Sequence, residues 1–200
     1  MMTIILIVIT VVISLLAFNN RELFTKLQFN AYQVYHRKEF YRLITHGFIH
    51  ANWWHLFVNM LVLFFFGMNA ENYLSSLTKY PNLIFIVFYL VSMIFASSIA
   101  LIKHKDDVWY NSIGASGATS AILFFSIFFD PWQKIIVYFI PVPGIIFALL
   151  YVVYSHYQSK KGGDNIAHDA HLLGAIFGFI FPLFLNLDLY KHFISKLFGA

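Results

Sequence analysis

Gly114-Ala115-Ser116-Gly117-Ala118-Thr119-Ser120-Ala121-Ile122-Leu123-Phe124-Phe125-Ser126-Ile127-Phe128-Phe129 is the stretch that decides the fold. From Ser116 to Phe129 it is apolar enough to lie in a membrane. At 1.5 Å per residue it reaches only about 20 Å, against a hydrocarbon core of about 30 Å. One of its ends therefore lies inside the membrane depth. The polar run Lys103-His104-Lys105-Asp106-Asp107 precedes it, and Gly114 lets the chain turn. Irregular backbone at depth is tolerated only where it lines protein or a water-filled cavity. The start of this helix is thus a place of interest before any chemistry is considered.

Working outward, five further apolar stretches complete a six-span pattern at about residues 3–18, 54–69, 82–102, 143–157 and 167–187, with 116–129 as the fourth. The composition agrees: 60% of the 200 residues are hydrophobic and 11% are charged. Soluble domains carry about 25% charged residues, so this chain could not cover a water-facing surface. The fold class is all-α, a polytopic membrane protein. The first stretch lacks a basic leader and a small-residue cleavage site, and reads as a retained helix. Pro143 is placed at the start of the fifth helix, because proline is tolerated in a first turn and costly within a helix. Residues 135–140 are then left as a re-entrant or interfacial piece. The long connection 19–50 interleaves Arg21, Lys26, Arg37, Lys38 and Arg42 with Phe24, Phe29, Tyr32 and Tyr35, as suits a segment in the headgroup layer. There is no cysteine, which removes disulfides, thiolate metal sites and a Cys nucleophile. The net charge of +4 is small and scattered, and no nucleic-acid partner is expected.

Three constellations could carry chemistry. Ser116, between Gly114 and Gly117, opens a helix whose first amides point outward, so nucleophile and oxyanion donor can arise from one turn. The competing reading is close packing, the usual role of small residues in membrane helices. His171 opens the sixth span, and Gly174 and Gly178 follow it at the spacing that lets a neighbouring helix approach. If that neighbour is the fourth span, His171 comes beside Ser116, which needs an adjacent base to react. The alternative is an interfacial histidine. His168 lies on the same face as His171, whereas Asp169 points about 200° away, which favours a Ser–His dyad over a triad. In the second span His55 and Asn59 share one face and can both donate hydrogen bonds to an oxyanion. His50 and His55 as metal ligands is a weaker alternative, since no Glu, Asp or Cys lies at ligand spacing. No metal or cofactor is expected.

Together these residues resemble the rhomboid family of intramembrane serine proteases, from about Phe40 to the sixth span. The resemblance rests on His55-x-x-x-Asn59, Gly114-x-Ser116-Gly117 and Ala170-His171-x-x-Gly174, in that order and in the matching spans. It implies a minimal six-helix core of bacterial type, a single membrane domain over 1–200 in the bacterial cytoplasmic membrane. It also implies transmembrane protein substrates. Ser116 would be the nucleophile and His171 the base. His55, Asn59 and the Ser116 amide would be oxyanion donors, and His50 would support them. The long first connection would form a partly embedded hairpin. The family's Trp-Arg pair in that hairpin is Tyr41-Arg42 here. Its frequent aromatic residue four after the serine, against which the histidine packs, is Ser120 here, which leaves open what orients the His171 ring. The family arrangement opens the site outward, whereas the Lys and Arg distribution favours the reverse orientation. Rival functions are a non-catalytic relative that binds membrane segments and a small proton-relay transporter.

Overall fold

A computed structural model describes residues 1–137, 139–161 and 167–199. The chain is an all-α, polytopic membrane bundle. Its helices are α1 (Met2–Phe18), α2 (Arg21–Leu27), α3 (Ala31–Arg37), α4 (Arg42–Thr45), α5 (Trp53–Leu77), α6 (Pro81–Lys103), α7 (Ser116–Phe129), α8 (Gly144–Lys161), α9 (His168–Leu185) and α10 (Leu189–Phe198). Of these, α5, α6 and α9 are long and apolar enough to cross a membrane, and α1 and α7 are apolar but shorter.

The short helix sits at the centre. Every residue of α7 from Gly117 to Phe129 is buried. A helix that is apolar all round could face either lipid or protein, and this one packs on α5, α6 and above all α9. The approach to α9 is backbone to backbone. A Cβ on Gly174 would be driven into the Gly117 carbonyl oxygen, and a Cβ on Gly178 into that of Ala121. The register 117 with 174 and 121 with 178 makes the two helices parallel and sets their N-termini side by side. Below them, Phe88 stacks on Phe181 with centroids 4.1 Å apart, and Tyr73 on Phe129 at 4.5 Å.

Two elements differ from the sequence expectation. Helix α5 continues eight residues past 69, through Asn69, Glu71 and Asn72. The polar run does not end it because Glu71 has partners: its carboxylate lies 2.6 Å from the Met1 amine and accepts the Thr3 amide. The segment after α7 is a β-hairpin, β3 (Lys134–Val137) paired antiparallel with β4 (Ile140–Pro143). Pro143 therefore ends a strand and does not open the fifth helix, which starts at Gly144. A two-stranded ribbon has two free edges, where proline's missing N–H is tolerated.

The first connection is ordered by one buried cation. Arg42 donates from Nε to Glu39 at 2.6 Å and from a terminal nitrogen to the carbonyls of Thr25 and Gln28 at 2.8 and 2.7 Å. The hydrogen bond from Arg42 lowers the Glu39 pKa below the ordinary carboxylate value. A second short ribbon pairs β1 (Phe29–Asn30) with β2 (Asn111–Ser112), tying the first connection to the loop that delivers Ser116.

Candidate active site

The turn into α7 is fixed from both sides. Gly114 has φ +105°, a backbone conformation that side chains rarely adopt, and a Cβ there would lie 2.6 Å from the His55 ring. Its amide donates to the His46 carbonyl at 2.9 Å. The next amide, of Ala115, donates to His50 Nε2 at 3.4 Å. That leaves the proton on Nδ1, which meets the Ser14 hydroxyl at 3.0 Å, and Ser14 donates on to the Phe48 carbonyl at 2.9 Å. His50 is thus a buried bracket between α1 and the start of α7. Burial pushes its pKa down to about 3 and keeps the ring neutral.

The first helical bond of α7 runs from the Thr119 amide to the Ala115 carbonyl. The amides of Ser116, Gly117 and Ala118 precede it and belong to the unpaired first turn. Facing them, α5 is capped by the Asn52 side chain, which accepts the His55 amide at 2.8 Å. The His55 ring accepts the Ala51 amide on Nδ1 at 3.4 Å, so its proton sits on Nε2, the nitrogen next to Gly114. Asn59 donates from its amide nitrogen to the His55 carbonyl at 2.9 Å, and its oxygen accepts the Thr119 hydroxyl at 3.0 Å. With that oxygen occupied, the amide group presents donor character.

His55, Asn59, Ser116 and His171 all line one cleft of about 1050 Å³, bounded also by Trp54, Val58, Phe147 and Tyr151. Ser116 and His171 are both partly exposed to it. Gly117, Gly174 and Gly178 do not line it: they form the seam that joins the two helix starts. His168 is buried, and its ring meets that of His171 edge-on at 6.1 Å. Asp169 turns away, into an ion pair with Lys103 at 2.6 Å and a hydrogen bond from Ser159. Among the described residues no cluster of three or more His, Asp or Glu side chains could hold a metal ion.

Sequence reasoning missed Thr119, which orients Asn59, and Tyr151, whose ring faces His171 at 6.5 Å with 23° between planes. Thr119 lies three after Ser116, on the same face of α7, and helical spacing could have found it. Tyr151 comes from α8, and no local spacing points to it.

The sequence matches the Rhomboid domain over residues 37–187. It is 32% identical over 143 residues to RHOMBOID-like protein 12, mitochondrial, of Arabidopsis thaliana, an alignment covering 66% of this chain and 43% of that protein. It is 27% identical over 170 residues to Rhomboid protein 1, mitochondrial, of Saccharomyces cerevisiae, covering 79% of this chain and 45% of that protein. The chain thus spans less than half the length of these relatives. The family match extends from the end of α3 past the last residue of α9, taking in every residue named above as lining the cleft, and the chain belongs to the rhomboid family.

Proposed function

We propose that this chain is an intramembrane serine endopeptidase that cleaves peptide bonds in or near transmembrane segments of other membrane proteins. The carrying observation is that one cleft is lined by Ser116, His171, His55 and Asn59, with the Ser116 and His171 helix starts locked side by side. His171 takes the proton of Ser116 as its hydroxyl oxygen attacks the scissile carbonyl. The oxyanion receives hydrogen bonds from the Ser116 amide, His55 Nε2 and the Asn59 amide group. His171 then protonates the departing amine, and a water activated by the same imidazole hydrolyses the acyl-enzyme. A dyad suffices in this reading, because Asp169 is held by Lys103 and Ser159. His50, Gly114 and His168 support the site, and Gly117, Gly174 and Gly178 set the helix seam.

A substrate helix must unwind to present its backbone, and Val58 of α5 and Phe147 of α8 give the cleft an apolar lining to receive it. The proposal takes 1–200 as one membrane domain with the lipid bilayer and transmembrane proteins as partners. Placement in a bacterial cytoplasmic membrane rests on the six-span organisation alone; the relatives named above are mitochondrial.

The test is cleavage of a reporter transmembrane substrate in detergent micelles by wild type, Ser116→Ala and His171→Ala. Wild type is expected to cut, and both variants to lose activity with unchanged melting temperature. Undiminished cleavage by Ser116→Ala would sink the assignment of the nucleophile.

A further inference from the structure

A base imidazole serves its nucleophile from one orientation, so the groups packed around it bear on its action. Four residues after the serine, where the resemblance leads one to look for a ring, this chain has Ser120. A ring reaches His171 from another helix. Tyr151 of α8 lays its ring against His171 at a centroid distance of 6.5 Å and an interplanar angle of 23°, within the range of an offset aromatic pair. Its hydroxyl lies 2.7 Å from Ser120 Oγ. Phe147 and Phe124 wedge the ring from two further sides, at 5.6 and 5.4 Å. The imidazole also meets the His168 ring edge-on at 6.1 Å.

We propose that Tyr151 is the positioning residue of the base: carried on α8 and tethered to Ser120 of α7, its ring holds the His171 imidazole toward Ser116. The small residue at 120 is then a functional choice. A larger side chain there would occupy the space the Tyr151 hydroxyl uses, and Ser120 offers a hydroxyl that anchors the ring at its far end. The tether fixes the ring's tip, while Phe147 and Phe124 fix its tilt. The base is therefore completed by three helices, α7, α8 and α9, although its imidazole belongs to one. This inference rests on the protease reading of the cleft.

The experiment measures the rate at which a fluorophosphonate labels Ser116 across pH, together with kcat and KM for a reporter substrate and the melting temperature. The variants are Tyr151→Phe, Tyr151→Leu, Tyr151→Ala, and the double variant Ser120→Tyr with Tyr151→Ala. Misplacing a catalytic group by about 1 Å costs on the order of 100-fold, so Tyr151→Ala and Tyr151→Leu are expected to lose about 10- to 100-fold in kcat and in labelling rate at little change in KM. Their pH profile should also shift, because the imidazole's surroundings change. Tyr151→Phe keeps the ring and loses the tether, and should fall by only a few-fold. The double variant supplies a ring from α7 into the space vacated on α8, and should regain most of the lost rate. Simple loss of α8 packing would not be restored in this way.

Wild-type labelling rate and pH profile in folded Tyr151→Leu would overturn the inference, as would a loss confined to KM or melting temperature. A wild type that labels no faster than Ser116→Ala would instead overturn the protease reading, and the inference with it.

Discussion

Replacing Gly174 by alanine adds one methyl group where two helix backbones touch. The new Cβ would meet the backbone carbonyl of Gly117, its carbon and its Cα, with no flexible side chain in the way to yield. Ordinary contact can return only if α7 and α9 part by on the order of 1 Å, and overpacking of this kind typically costs about 1–3 kcal/mol. In a protein of this size that corresponds to a fall in melting temperature of roughly 2–12 °C. The second consequence is larger. The parting occurs one residue beyond Ser116 and three beyond His171, so their separation grows with it. A displacement of about 1 Å at reacting groups costs on the order of 100-fold in rate. The assay pairs a thermal melt in detergent with fluorophosphonate labelling of Ser116, using Ile176→Ala on the lipid-facing side of α9 as control. Gly174→Ala with wild-type melting and labelling would refute the backbone contact. Gly178→Ala strikes the Ala121 carbonyl one turn deeper, and should cost similar stability with less effect on labelling.

Four other outcomes follow from the geometry. Gly114→Ala forces a side chain into a φ of +105° and against the His55 ring; a cost of about 1–3 kcal/mol is expected, read as a lower melting temperature, with loss of Ser116 labelling. Asp169→Asn should keep reporter cleavage within about 3-fold of wild type, because Asp169 binds Lys103 and not His171; a third member of a triad would lose about 10⁴-fold. Arg42→Lys should be destabilising by about 3–5 kcal/mol, close to the loss for Arg42→Ala, since an ammonium cannot reach Glu39 and two carbonyls from one fork. The Glu39 carboxyl has a lowered pKa in the folded state, so its contribution is present above the unfolded carboxylate value and is lost as pH falls through the folded one. Protease nicking of residues 19–41 should therefore rise in acid for wild type and show no such step in Glu39→Gln.

The bounds of α7 were legible in the sequence, because a 14-residue apolar helix cannot span; the Gly174–Gly178 spacing called for a close neighbour of α9 but did not name α7 as that neighbour. The turn of Asp169 to another side of α9 was legible too, from helical angle alone. The far end of α5 was not: Glu71 and Asn72 look like a stop until the Met1 amine is brought across from α1. The β3–β4 hairpin was hidden because Ile135, Ile136 and Val137 serve a strand or a buried helix equally well, and only the pairing of Lys134 with Pro143 distinguishes them. Tyr151 was invisible for a different reason. It acts on His171 across a helix interface, and such a partner has no fixed offset in the chain.

The complete burial of α7 has a consequence for how the protein meets its solvent. Lipid tails press on α1, α5, α6 and α9, and a bilayer of different thickness is accommodated by tilting those outer helices. Helix α7 is insulated from that pressure, and its glycine seam locks it to α9 in a register that no lipid chain can enter. Ser116 is therefore carried like a fixed mark on an inner rod: its distance from its own scaffold stays constant while the membrane surface rises or falls around it. The depth of the serine below the headgroups is then a property of the surrounding bilayer, whereas the geometry of the residues that act on it is a property of the protein alone.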